Sequence, residues 1–142
     1  MDYVLDGYCG VYCGACPVML ATRAGSLEDD RQCYGCKSGK PTGFCETCKL
    51  KACAIRKGFE ICIECCEVTK CEFMCKFIAD QQYPYGQCVL KNMLMIQIQG
   101  LPNWLGAQEK RWRCEHCGEP HSWYDETCPK CGQEVKNYQE DL

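Results

Sequence analysis

The stretch YCGVYCGACP sets Cys9, Cys13 and Cys16 in the order C-x3-C-x2-C. Three thiolates so close can hold a zinc ion, seat a [4Fe–4S] cluster with one iron left open, or pair as disulfides. Further thiols follow at regular intervals: Cys33-x2-Cys36, Cys45-x2-Cys48, Cys53, Cys62-x2-Cys65 and Cys71, with Cys66, Cys75 and Cys88 less regularly placed. In all, 18 of 142 residues are cysteine, a usage that marks either a disulfide scaffold or a set of metal sites. The start MDYVLDGYCG has neither the basic region nor the apolar core of a secretory signal. The longest apolar run, MLMI, is too short to span a bilayer. The expectation is a soluble, cytoplasmic protein with no membrane contact, where C-x2-C pairs are metal ligands before they are disulfides.

The most specific pattern lies near the C-terminus. In RCEHCGEPHSWYDETCPKCG, Cys114, Cys117, Cys128 and Cys131 read C-x2-C-x10-C-x2-C, the spacing of a zinc ribbon. Each pair forms a knuckle, and Gly118 and Gly132 allow the chain to reverse after it. Four thiolates close the coordination shell, so zinc here is expected to be structural. Some 25 residues cannot fold on apolar burial alone, and metal binding is expected to supply on the order of 10 kcal/mol or more. His116 and His121 are the only substitutes for a thiol. Ser122 to Asp125 is expected to be a strand whose aromatics cover the ribbon's small core, with a docking surface as the sharper alternative.

The N-terminal cysteines divide less clearly. A sequential reading places Cys33, Cys36, Cys45 and Cys48 around one ion, and Cys53, Cys62, Cys65 and Cys71 around another. Cys9, Cys13 and Cys16 then share a third site with Cys75 or Cys88. Cross-braced arrangements use the same spacings, so the partition stays open. With the ribbon this makes about four zinc ions, the alternative being a [4Fe–4S] cluster at the N-terminal cysteines.

These thiols need elements to position them. The fold class expected is a small, metal-stabilised α+β protein in three parts. Residues 1–86 form a cysteine-rich body of short helices and knuckles, 87–110 a helical connector, and 111–142 the ribbon and tail. Helices are predicted after Cys16 with Gly25 as stop, and through ETCKLKACAIRKG with Gly58 closing it. Another is predicted after Thr69, where Glu72 completes a capping box, running to Asp80. In the connector, Val89, Leu90, Met93, Leu94 and Ile98 fit one helix face, with Gly100 as its cap and Pro102 just past it. Asn103 is expected to cap one more helix, and Met93 and Met95 to fill the core.

YCGVYCGACP, CYGCKSG and FCETCKLKACAIRKGFEICIEC with the following Cys71 resemble the cysteine-rich domain of unknown function 3795 family. The resemblance extends to NWLGAQEKRW and the terminal ribbon, as in the family's longer members. It implies probable zinc binders with no assigned activity. It carries over Cys9, Cys13, Cys16, Cys33, Cys36, Cys45, Cys48, Cys53, Cys62, Cys65 and Cys71, leaving Cys66, Cys75 and Cys88 particular to this chain.

No phosphate loop, G-x-S-x-G elbow or H-E-x-x-H helix is present, and both histidines lie inside the ribbon, which argues against a hydrolase. The net charge of −3, from 16 basic and 19 acidic residues, counts against a broad nucleic-acid face. Each tetrathiolate site adds −2 to it. EKRWR reads as a solvated helix end. The function expected is a structural or interaction role toward a protein partner. The alternatives are an iron–sulfur protein acting in electron transfer or substrate binding, and a nucleic-acid-binding ribbon.

Overall fold

The computed structural model describes residues 2–41 and 43–142. Met1 and Thr42, both within the first expected segment, lie outside the described residues. Five α-helices carry the fold: α1 (Pro17–Arg23), α2 (Lys49–Lys57), α3 (Glu72–Ala79), α4 (Val89–Gln99) and α5 (Leu101–Arg111). With short 3₁₀ turns between them, helical backbone makes up about half the chain. The β component of the expected α+β class is confined, among the described residues, to isolated antiparallel bridges: Asp6 with Tyr12, Arg113 with Pro120, and Thr127 with Glu134.

The first four helices share one device. Their N-cap residues are Cys16, Cys48, Cys71 and Cys88. The first three are extended at the cap, the geometry that lets a short side chain turn back toward the first amides. Each of these cysteines therefore stands at the first turn of its helix, with no side-chain hydrogen bond closing the cap. α1 ends before Gly25 (φ +71°) and α2 on Gly58 (φ +76°), as their sequences predict.

Four local expectations are corrected. Thr69 does not cap α3: it lies in the 3₁₀ turn Val68–Lys70, the cap is Cys71, and Glu72 pairs instead with Lys76 at 2.8 Å. On α4 the buried face is Val89, Asn92 and Met93, while Leu94 and Ile98 are 49% and 68% exposed. Asn92 takes the interior position because two acceptors await it there, the Gly10 carbonyl at 3.0 Å and the Tyr85 hydroxyl at 2.9 Å. α5 is capped by Gly100, not Asn103; Pro102 falls in its first turn, where a missing N–H costs nothing. Asn103 lies inside the helix and donates to the Gln99 carbonyl at 2.9 Å.

The fourth correction concerns Ser122 to Asp125, a turn rather than a strand. The Ser122 N–H donates to Asp125 Oδ2 at 2.8 Å and the Tyr124 N–H to Ser122 Oγ at 3.1 Å. This turn drives Trp123 out of its own segment and into the rest of the molecule. It is fully buried, stacks on Tyr85, and donates its indole N–H to the Tyr12 carbonyl at 3.1 Å. Trp112 meets Tyr85 edge-on, and Trp104 meets Tyr12 the same way. One apolar cluster thus draws on all three expected segments. Gly10 (φ +89°) lets α4 approach the opening loop, since a Cβ there would sit 2.6 Å from Met93 Cγ.

Candidate metal centres

Cys114, Cys117, Cys128 and Cys131 converge. Their sulfurs lie within 4.8 Å of one another, with Cys114 to Cys131 at 3.6 Å and Cys117 to Cys128 at 3.5 Å. Tetrahedral zinc with bonds of about 2.3 Å spaces its sulfurs about 3.8 Å apart, so the four fit such an ion. The two turns that carry them are built alike. Gly118 N–H donates to the Cys114 carbonyl at 2.8 Å and Gly132 N–H to that of Cys128 at 3.0 Å, both glycines being left-handed. His116 N–H and Lys130 N–H each point at the first thiol of their turn, at 3.4 Å.

Those amides tune the set. The Cys131 N–H above all, with that of Lys130, outweighs partial burial and brings the Cys128 thiol down to about 7. At Cys131 the Gln133 amide pulls the other way, yet burial and the bonds to Cys114, Cys117 and Cys128 push it up to about 12. Neither histidine joins the group. His121 is buried against Trp112 and donates from Nδ1 to the Ser122 carbonyl at 3.0 Å.

The N-terminal thiols are gathered differently. Cys9, Cys13, Cys16, Cys33, Cys36, Cys45 and Cys48 all line one cavity of about 40 Å³. The opening triplet and the pairs that sequence alone assigns to a separate ion share this space. Three tethers bring them together. Val4 N–H donates to the Tyr34 carbonyl at 2.8 Å, Cys33 N–H to Thr22 Oγ1 on α1 at 2.9 Å, and Cys13 N–H to the Leu5 carbonyl at 2.7 Å. At the Cys33 turn, Gly35 N–H points at Cys33 Sγ at 3.4 Å, the arrangement seen in the C-terminal turns. Gly35 has φ +110°, and any Cβ on it would fall on the Val4 carbonyl oxygen. Burial, and next the neighbouring Cys36, raises the Cys9 and Cys13 thiols well above the usual range; burial pushes Cys45 up to about 12. Burial also raises Cys16, against the opposing amides of Met19 and Val18.

A second, more open cavity of about 330 Å³ is lined by Cys53, Cys62, Cys65, Cys66 and Cys71. It contains the four thiols that spacing groups around one ion, and adds Cys66, whose irregular placement hid it. Two basic residues of α2 reach these sulfurs, Lys57 Nζ at 3.6 Å from Cys65 and Arg56 at 3.8 Å from Cys53. Burial, followed by the Cys48 thiol, pushes Cys62 up to about 12. Cys62 N–H also donates to the Tyr8 carbonyl at 2.8 Å, tying the two thiol groups together. Lys51, a wall of the first cavity, and Lys57 were not singled out by sequence; their only signal is position on a helix that starts at Cys48.

Cys75 and Cys88 line neither cavity. Cys75 is exposed with its thiol 3.8 Å from the Thr69 carbonyl, and Cys88 is buried with its thiol 3.9 Å from that of Tyr138. Both thus stand apart from the cavity that holds the opening triplet, for which either was expected as a fourth ligand. Among the described residues, no helix is long and apolar enough to cross a membrane.

No curated protein and no solved structure matches the chain. A family model does, over residues 5–76, a span that holds every thiol of both cavities and stops short of the C-terminal four. That model is described as Protein of unknown function (DUF3795), it covers half of the chain, and the chain belongs to this family.

Proposed function

We propose that the protein is a metal–thiolate scaffold with a structural or interaction role. Zinc occupies the C-terminal four thiols, and further metal occupies the two thiol-lined cavities of the body. The observation that carries the reading is the mutual approach of Cys114, Cys117, Cys128 and Cys131 to within 4.8 Å. A shell of four thiolates leaves no position for water or substrate, which is the signature of a structural ion. In this reading the protein works in the cytoplasm and meets a protein partner.

Metal analysis of the purified chain tests the proposal. The wild type is expected to carry zinc, and Cys114→Ser with Cys131→Ser to carry one zinc fewer. A wild type that holds no zinc after expression in zinc-supplemented medium overturns it.

A further inference from the structure

We propose that the enclosed cavity of the N-terminal body binds a polynuclear iron–sulfide cluster of [4Fe–4S] size rather than separate zinc ions. The inference deepens the metal–thiolate reading above and rests on it.

Spacing of the sulfurs separates the two possibilities. A single zinc ion draws four thiolates to about 3.8 Å from one another, and two ions sharing a thiolate keep that spacing within each tetrahedron. The C-terminal four stand in this regime, at 3.5 and 3.6 Å where they pair. The seven thiols of the enclosed cavity do not. Among the described residues, only the C-terminal group brings three or more His, Cys, Asp or Glu ligand atoms within 4.8 Å of one another. A cubane core holds its terminal thiolates farther apart, on the order of 6 Å, because iron and sulfide fill the middle.

The cavity has room for more than a single ion. A volume of about 40 Å³ is roughly three times the 10–15 Å³ that one water needs. A lone zinc ion in contact with four sulfurs requires no such space. Val11, Met19 and Phe77 supply apolar wall between the thiols, and such surface keeps solvent from a cluster. Lys51 is the one charged residue at the wall, a cation facing a cluster that carries −2 with four thiolates. Gly7 adds clearance: even a methyl group there would stand 3.6 Å from Cys36 Sγ and 3.7 Å from Cys9 Sγ. Four of the seven thiols suffice as ligands, and the remaining three give the site spare donors.

The test uses the full chain, purified without oxygen and reconstituted with ferrous iron and sulfide. Expected are visible sulfide-to-iron absorption and a [4Fe–4S] Mössbauer signature. Changing Cys9, Cys13, Cys16, Cys36 and Cys45 together to Ser leaves two cavity thiols, Cys33 and Cys48, too few to hold a cluster, and removes about four iron and four sulfide per chain. That variant keeps the C-terminal zinc, which reports that the chain is intact. Cys114→Ser with Cys131→Ser gives the converse, losing zinc and keeping the cluster. A wild type that stays colourless, takes up no sulfide and holds zinc in the body as well as at the C-terminus overturns the cluster while leaving the scaffold reading standing. Loss of zinc at the C-terminal four alone sinks the scaffold reading instead. Should the fivefold variant fail to fold, the Mössbauer spectrum and sulfide count of the wild type decide.

Discussion

Trp123 lies flat on Tyr85, with 4.0 Å between ring centroids and 5° between ring planes. One ring comes from the turn between the C-terminal thiol pairs and the other from the segment leading into α4. The stack therefore fastens the segment that carries the C-terminal thiol group to the body of the chain.

Trp123→Ala is expected to cost about 3–5 kcal/mol, the range for removing a large buried aromatic. Trp123→Phe keeps a ring against Tyr85 but leaves the Tyr12 carbonyl without its donor, and costs less, about 1–2 kcal/mol. Urea unfolding of the metal-loaded chain measures both. Equal losses in the two variants would show that the indole N–H, not the stack, dominates.

Gly35→Ala is expected to destabilise the body by about 2 kcal/mol or more, since it adds a clash with the Val4 carbonyl to a left-handed backbone. Gly25→Ala is the control. Gly25 is also left-handed, but a Cβ there meets nothing within 4 Å, so the cost falls to about 1 kcal/mol. Thermal melts of the two variants should rank in that order, and only Gly35→Ala should lower the metal content of the body.

Metal uptake at the C-terminal four should release protons unevenly. At pH 7 Cys128, brought down to about 7, is half ionised and gives up about half a proton, whereas Cys131, near 12, gives up a whole one. Below pH 7 Cys128 is protonated too, so affinity should fall more steeply on the acid side. Zinc competition titrations on either side of pH 7 check the change in slope.

The metal-free body should weaken as pH rises. Burial raises Cys9, Cys13, Cys45 and Cys62 in the fold, whereas unfolded thiols ionise near about 8.5. Above that value the folded state binds more protons than the unfolded one, so stability falls with pH. The contribution is whole below about 8.5 and is lost toward about 12, where Cys45 and Cys62 ionise in place. Urea midpoints of chelator-treated protein should drop over this window, and those of metal-loaded protein should hold.

The C-terminal group was legible because its four ligands fall within 18 residues, so spacing alone brings them together. α1 and α2 were legible from the glycine that closes each, although the helix expected through ETCKLKACAIRKG begins only after Cys48. The face of α4 was not. Leu94 and Ile98 match Val89 and Met93 in hydropathy, and only the tertiary acceptors at Gly10 and Tyr85 make Asn92 the inward residue. The merger of the opening triplet with Cys33 to Cys48 was equally hidden, because it depends on tethers such as Val4 to Tyr34 that no spacing records. The Thr69 capping box failed because the helix begins two residues later, after Cys71.

Three helices of this chain start on a cysteine that faces a shared cavity: Cys16 and Cys48 on one, Cys71 on the other. Whatever binds or oxidises those sulfurs takes hold of each helix by its first turn. In the proposed reading, inorganic chemistry at the centre and backbone order at the periphery become a single equilibrium, so the supply of metal is expected to shift how firmly this polypeptide is folded.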